Sequence, residues 1–339
     1  MEYRLLGGSA GLKIPALILG TATFGGGNDF FRKWGATDVA EATRLISVAL
    51  EAGLTMVDTS DSYSQGLSEE ILGKAIAGRR DKLIVATKVG NRMGSADNMG
   101  TSHDRILRCC DDSLKRLGTE YIDLYQLHGF DATVPVEDML RALAALIRAG
   151  KVRHYGVSNF SGWHLMKMLA LADQLGVPRP VSHQAYYSLV NREFEWELMP
   201  LALDQNVGTL VWSPLAGAKL AGKFGRNKKA EGTRAATDAS ITVPDEQVFR
   251  ATDVLEIIAR DSGRSIAQVA LAWLLARPSV AGVIIGVRNE AQLLDNLKAM
   301  EFKLTEDQIK RLDAATDLRP IYPYWHQRSV FLPRNPPPV

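Results

Sequence analysis

Four side chains of unlike type stand at or just beyond the ends of three short apolar segments. Asp58 closes the second such segment of the chain and Tyr63 follows five residues on; Lys88 closes the third and His128 the fourth. Together these types suit general acid catalysis at a carbonyl. A phenol with an ordinary pKa near ~10 donates a proton poorly at neutral pH. An ammonium beside it stabilises the phenolate and lowers that pKa, which assigns Lys88 to Tyr63. A lysine taken out of water tends to lose its proton, and Asp58 as partner keeps it charged and fixes its direction. His128 could donate to the same carbonyl oxygen and support the developing alkoxide. None of the four is a good nucleophile, and no metal-ligand cluster occurs elsewhere, so an external reductant is required. Each residue also has an ordinary explanation. Asp58 could cap a helix, Lys88 and Tyr63 could be surface groups, and His128 a hydrogen-bonded core residue. Their coincidence at successive segment ends is the signal.

Strand-like and helix-like segments alternate regularly around them. The β-rich runs are 16–19, 55–58, 83–88, 122–128, 152–158, 181–184, 209–213 and 282–286. Most have few polar residues inside, as parallel strands covered on both faces do. Helical patterns lie between them: Asp38 caps one running to Glu51 before Gly53, Ser102–Leu117 ends at Gly118, and Val136–Ala149 ends at Gly150. Ser161 caps a segment closing at Gly176, and Phe194–Gln205 carries the next. Eight β/α repeats fit a closed barrel or an open doubly wound sheet. Gly25-Gly26-Gly27 after the first strand is not G-x-G-x-x-G and opens no immediate helix, so the reading is a (β/α)8 TIM barrel. Three pieces are additional: a hairpin of Tyr3–Leu6 and Leu12–Pro15 plugging the barrel bottom, a long loop at 214–244 after strand seven, and a Pro- and aromatic-rich tail beyond Thr316. No break suggests a second domain; residues 1–339 read as one barrel, with the core over about 3–316 and the tail 317–339 over the substrate side.

Composition excludes several classes. The 339 residues are 46% hydrophobic and 23% charged, which suits a folded chain, and 40 Lys+Arg against 38 Asp+Glu leave a charge of +2. Neither nucleic acid nor an anionic membrane is implied as partner. No apolar run approaches the ~20 residues that span a bilayer. Met1-Glu2-Tyr3-Arg4 lacks a secretory layout, and the adjacent Cys109 and Cys110 are poorly placed for a disulfide. A cytoplasmic location is expected. Oligomeric state is not readable.

The segments Val57-Asp58-Thr59-Ser60-Asp61-Ser62-Tyr63, Ala86-Thr87-Lys88, Asp123-Leu124-Tyr125-Gln126-Leu127-His128, Gly156-Val157-Ser158-Asn159-Phe160 and Trp212-Ser213-Pro214-Leu215 resemble signature segments of the aldo-keto reductase superfamily. Ile285-Gly286-Val287-Arg288-Asn289 continues the likeness, which runs in order from about residue 3 to 316. The resemblance implies the barrel, a reduced nicotinamide cofactor bound in extended form, and the tetrad Asp58, Tyr63, Lys88 and His128. It also implies that Ser158, Asn159 and Gln184 hold the carboxamide, that Trp212 stacks on the nicotinamide, and that Thr21 and Ala22 approach its ribose. Asp58 counts with them at the cofactor.

Gly217 to Lys223 satisfies G-x-x-x-x-G-K, but Phe224 stands where a magnesium-binding hydroxyl would be needed, which argues against a triphosphatase. A loop of Ser213, Leu215 and Gly217 offering N–H groups and a lysine to a pyrophosphate remains sensible chemistry, and the resemblance implies that Lys223 and Arg234 lie near the phosphates. The resemblance puts Gly286, Gln292 and Asn296 around the adenosine and Arg288 at a 2′-phosphate, which a guanidinium suits better than a hydroxyl. NADPH is therefore expected, with NADH a weaker alternative; some family members carry lysine where Gly286 stands and Ser or Thr where Val287 stands. Phe24, Phe30, Trp34, Phe130 and Trp325 are the candidate walls of a pocket for a small-molecule carbonyl substrate, and an aromatic pocket suits a bulky aldehyde or ketone more than a small polar sugar. Three readings follow: an NADPH-dependent aldehyde or ketone reductase, a redox-sensing module like the potassium-channel β subunits, and a dedicated metabolic enzyme such as a pyridoxal reductase.

Overall fold

Alternation of side chains along each strand sorts the barrel into an inside and an outside. A computed structural model of the chain describes residues 1–8, 11–27, 29–95, 98–226, 228 and 241–338, with the backbone alone at 29 and 30. The strands are β1 Tyr3–Leu6, β2 Leu12–Pro15, β3 Leu17–Gly20, β4 Met56–Asp58, β5 Ile84–Val89, β6 Ile122–Leu127, β7 Val152–Ser158, β8 Ser182–Tyr186, β9 Gly208–Trp212 and β10 Val280–Gly286. β3 to β10 pair in parallel and close, β10 returning to β3, while β1 and β2 form a separate antiparallel hairpin. The expected (β/α)8 barrel with its hairpin is thus present, each strand within two residues of its sequence-based bounds.

Outward residues such as Leu17, Leu19, Val57, Val85, Tyr125 and Val157 are buried against the helices in one large core. The helix His103–Leu117 shows why it packs there. Ile106, Cys109, Cys110, Ser113, Leu114 and Leu117 recur at helical spacing and are its buried face, and Gly118 at φ 62° ends it. Both cysteines are free thiols. Asp38 caps the helix Val39–Glu51 by accepting from Glu41 N–H, as expected. Ser161 differs: its hydroxyl lies 2.8 Å from Nδ1 of His164 and makes no cap hydrogen bond. The expected helix 194–205 is also split, into a short turn Glu193–Glu195 and the helix Leu198–Gln205, with Pro200 in its first turn.

Inward residues form a second, smaller core: Ile18, Met56, Ala86, Leu124, Leu210, Ala281 and Ile284, closed from below by Leu6 and Ile14 of the hairpin. The approach is close at two glycines, where any added side chain would force its neighbours to shift. A Cβ on Gly208 would come within 2.4 Å of Leu6 Cδ2, and one on Gly282 within 2.6 Å of Ile18 Cδ1. Arg4 fastens the hairpin, donating to the carbonyls of Val280 at 2.6 Å and Leu275 at 2.9 Å. The floor of the barrel is therefore dry and sealed. Among the described residues, no helix is long and apolar enough to cross a membrane.

Candidate active site

The strands end upward in polar residues two positions beyond that apolar layer. Strand pairing sets Asp58 level with Gly20 and Ala86, and Lys88 level with Gln126. Lys88 is 0% exposed, yet its ammonium has three oxygen partners. Nζ donates to Asp58 Oδ1 at 2.5 Å, to the Thr59 carbonyl at 2.8 Å and to the Tyr63 hydroxyl at 3.3 Å. Asp58 Oδ2 accepts from the amides of Gln184 at 2.8 Å and Gln126 at 3.2 Å. A buried ion pair persists only when its remaining donors and acceptors are satisfied, and here they are. Burial is the strongest influence on Lys88 and pushes its pKa down, but the Asp58 carboxylate and then Tyr63 carry it above the ordinary value. The lysine is a cation.

Tyr63 reaches it through a strained turn. The residues after it, Ser64 and Gln65, sit at φ 49° and 58°, a left-handed conformation that costs a non-glycine residue roughly 1–3 kcal/mol and collects at functional sites. Ser64 secures the turn by donating to the Phe24 carbonyl and accepting from Gly26 N–H, both at 3.1 Å. The Tyr63 ring then lies 4.8 Å from Lys88 Nζ, edge-on to His128 at 5.9 Å and to Trp34 at 6.4 Å. Burial foremost, and the Lys88 charge second, hold the His128 pKa well below the ordinary value, so the imidazole is neutral. Its Nδ1 is 3.1 Å from Ser60 Oγ.

Beside the tetrad, Asn159 at φ 57° donates to the His128 carbonyl at 2.9 Å and accepts from Trp212 Nε1 at 3.0 Å. Trp212 stacks on Tyr186 at 4.8 Å. Ser158 Oγ is buried with no hydrogen-bond partner. Thr21 is buried and donates to the Asp58 carbonyl, with Ala22 half-buried next to it. A cavity of about 450 Å³ runs on from Trp34, lined by Ser213, Leu215, Gly217, Lys223, Gly286, Arg288, Gln292 and Asn296 among others. Ser213, Ala216 and Ala218 all adopt positive φ there, and Ser213 Oγ accepts from Gly217 N–H at 3.1 Å. Gly217, between Ala216 and Ala218, is also left-handed at φ 64°, and a turn with left-handed residues exposes backbone N–H groups of the kind that suit phosphate. Arg288 donates to the carbonyls of Trp34 at 3.1 Å and Lys33 at 2.8 Å, neutral acceptors that leave its charge intact.

Most of the expected site residues are thus brought together, and some are not. Phe24 is a correction: its ring is fully buried in the core, packing where a pocket wall was expected. Phe130 stacks on His164 at 3.6 Å and meets Phe160 edge-on. Trp325 is 48% exposed and packs on Tyr322 and His326 within the tail. The Phe30 side chain and Arg234 lie outside the described residues. Two residues at the tetrad were missed, Gln126 and Ser60. Gln126 was legible: it precedes His128 by two and therefore shares its face of the strand. Ser60 gave no signal in one dimension.

Residues 16–317 match the model of the aldo/keto reductase family. An uncharacterized oxidoreductase of Bacillus subtilis is 38% identical, with 92% of this chain and 95% of that protein covered. A probable voltage-gated potassium channel subunit beta of Oryza sativa is 32% identical over 94% and 98% of the two chains. The versiconal hemiacetal acetate reductase of Aspergillus parasiticus is 33% identical over 95% and 99%. With the barrel, the upward-facing polar ring and these relatives in agreement, the chain belongs to the aldo/keto reductase family and is an oxidoreductase of that kind.

Proposed function

We propose that the protein reduces aldehydes or ketones to alcohols with NADPH, using Tyr63 as the proton donor. The observation that carries this reading is the fully buried Lys88 ammonium 3.3 Å from the Tyr63 hydroxyl and 2.5 Å from Asp58. Residues present also fit a dinucleotide. Ser158 Oγ is a buried polar atom without a partner, of the kind a carboxamide satisfies, and the neighbouring cavity offers a phosphate-shaped backbone and two cations, Lys223 and Arg288.

In this reading Ser158, Asn159 and Gln184 hold the nicotinamide carboxamide and Trp212 supports its ring. The loop from Ser213 to Gly217, with Lys223, takes the pyrophosphate. Gln292 and Asn296 flank the adenosine, and the Arg288 guanidinium pairs with the 2′-phosphate, which favours NADPH over NADH. When bound, the cofactor supplies a hydride. His128, neutral and positioned, donates a hydrogen bond to the carbonyl oxygen. Tyr63 passes its proton to that oxygen, and Lys88 stabilises the phenolate left behind. Asp58, braced by Gln126 and Gln184, keeps Lys88 charged and aimed. Trp34 and Phe130 supply apolar walls for the aldehyde or ketone.

The test is NADPH consumption against a panel of aldehydes, ketones and quinones, with Tyr63→Phe as control. Turnover lost in that variant supports the reading; turnover retained overturns the assignment of the acid. The relatives named as potassium channel subunits support a second reading, a redox-sensing module. That reading requires very slow NADPH oxidation with every carbonyl. The buried free thiols Cys109 and Cys110 support a reducing, cytoplasmic setting, checked by fractionation.

A further inference from the structure

Two residues before Tyr63, one buried carboxylate has no part in the mechanism above. Asp61 is fully buried, and its N–H donates to the Lys88 carbonyl at 3.3 Å. Oδ1 accepts from the Ser60 hydroxyl at 3.2 Å, while Oδ2 has no hydrogen-bond partner. A carboxylate oxygen that is buried and unpartnered disfavours the charged form. The groups facing Asp61 come from three further elements: Glu69 on the helix Leu67–Ala75, Arg105, Cys109 and Arg116 on the helix His103–Leu117, and Tyr125 on β6. Glu69 is itself held by Arg116 at 2.7 Å and Thr87 at 2.5 Å. Burial first, and the Glu69 charge second, raise the Asp61 pKa to about 7, against the Ser60 hydrogen bond and the two arginines.

Ser60 connects this acid to the tetrad. Its Oγ lies 3.1 Å from His128 Nδ1 and 3.0 Å from Ser62 Oγ, and accepts from Ser62 N–H at 3.2 Å. A hydroxyl has one hydrogen to give and two lone pairs, and Ser62 N–H occupies one of them. The remaining hydrogen and lone pair are shared among Asp61, His128 and the Ser62 hydroxyl, and the last of these can itself rotate to give or to take.

We infer that Asp61 is a positioning residue that sets, through Ser60, which nitrogen of His128 carries the proton. With Asp61 ionised, Ser60 gives its hydrogen to the carboxylate and accepts from His128 Nδ1–H, so Nε2 is an acceptor. With Asp61 protonated, the acid donates to Ser60, Ser60 donates to Nδ1, and Nε2–H is a donor. Passing from the first state to the second takes up one proton. It enters at Nε2, the Nδ1 proton moves to Ser60 Oγ, and the Ser60 hydrogen moves to Asp61 Oδ1. His128 is the exposed end of this chain at 8%, against 0% for Asp61. The donor state fits a carbonyl oxygen and the acceptor state an alcohol hydroxyl, so the acid biases the site between reduction and oxidation. This consequence rests on His128 holding the substrate oxygen; the relay itself does not.

The decisive measurement is nitrogen-15 NMR of the histidine rings in the free protein between pH 5.5 and 8.5, with His128 assigned from His128→Gln. Because His128 is buried and held neutral, a step in this range is not its own titration. The Nε2–H population of the wild type should fall roughly tenfold from pH 6 to pH 8, as one proton with a pKa near the middle of that range requires. Asp61→Asn and Ser60→Ala should each abolish the step. A wild-type tautomer that does not change with pH overturns the relay, as does a step that survives in either variant. Should Asp61→Asn fail to fold, the wild-type scan and Ser60→Ala still decide. No cofactor or substrate enters the measurement, so its failure is distinct from a failure to reduce carbonyls. If both hold, kcat for reduction declines above pH 7 in the wild type and is flat in Asp61→Asn.

Discussion

The lower and upper halves of the barrel are built by the same strands and obey opposite rules. Met56, Ala86, Leu124, Leu210 and Ile284 face inward below; Asp58, Lys88, Gln126, Trp212 and Gly286 follow each of them by two residues. Two residues along a strand is about 7 Å. Over that distance the interior passes from a dry apolar layer, sealed by Leu6 and Ile14, to a buried ion pair with amide partners. The lower half is satisfied by packing alone and tolerates shape-conserving change. The upper half holds charges that are tolerable only while every partner stays in place. Backbone strain divides the same way. Of the seven non-glycine residues at positive φ among those described, six lie in the loops above the barrel: Ser64, Gln65, Asn159, Ser213, Ala216 and Ala218. The well-packed lower half supplies the stability against which the upper half maintains unfavourable geometry.

Substitutions on the two sides should therefore fail differently. The largest effect is expected above. Tyr63→Phe should lower kcat for ketone reduction by roughly 10³, within the range for loss of a general acid, with NADPH affinity by fluorescence titration almost unchanged. Equal loss of affinity and turnover would mean that the ring organises the site instead of donating the proton. Below, Leu124→Ala should cost about 3 kcal/mol by denaturant unfolding while leaving kcat at low temperature close to wild type. If activity collapses with it, the two layers are not separable. Arg288→Ala should raise KM for NADPH by roughly 10- to 50-fold, as loss of a charge-assisted pair does, and barely change that for NADH. Equal shifts would remove the arginine from the 2′-phosphate.

The smallest effect carries a sign. The Asp61 pKa is about 7 in the folded chain against an ordinary 3.8, so its contribution to stability is present below about pH 4 and lost as pH rises to 7. Asp61→Asn should lower the melting temperature at pH 4, where the wild-type acid is neutral and the buried amide is the poorer fit, and raise it at pH 8, where the net gain is about 1–2 kcal/mol. That is less than the ~4 kcal/mol of the full shift, because the buried amide brings a new donor to satisfy. A lower melting temperature at pH 8 would show the ionised carboxylate to be well held in the fold.

Much of this division was legible along the chain. The strands announced themselves as short apolar runs, and residues at the upper ends of five of them were the candidate site positions Asp58, Lys88, Ser158, Gln184 and Trp212. Where the reading missed, the cause was contact between distant segments. Phe24 and Trp34 are both aromatics after the first strand, yet one fills the core and the other meets Tyr63. Nothing in their spacing separates them. Ser161 looked like a helix cap but turns to His164, since a side-chain partner one turn away competes with the backbone.

Periodicity is a local property, and it was enough to determine the eight repeats and the inward and outward faces, and so to put Asp58, Lys88 and His128 at strand ends as candidates. Which inward groups touch is another matter. The stagger of a closed barrel brings Gln184 to Asp58 across 126 residues, and Ser60 to His128 across 68. Closure, turn strain and burial together decided that Lys88 is charged, that His128 is neutral, and that Asp61 sits near the middle of its titration at neutral pH. Protonation states depend on the surrounding dielectric and on neighbours in space, and neither exists until the barrel has closed.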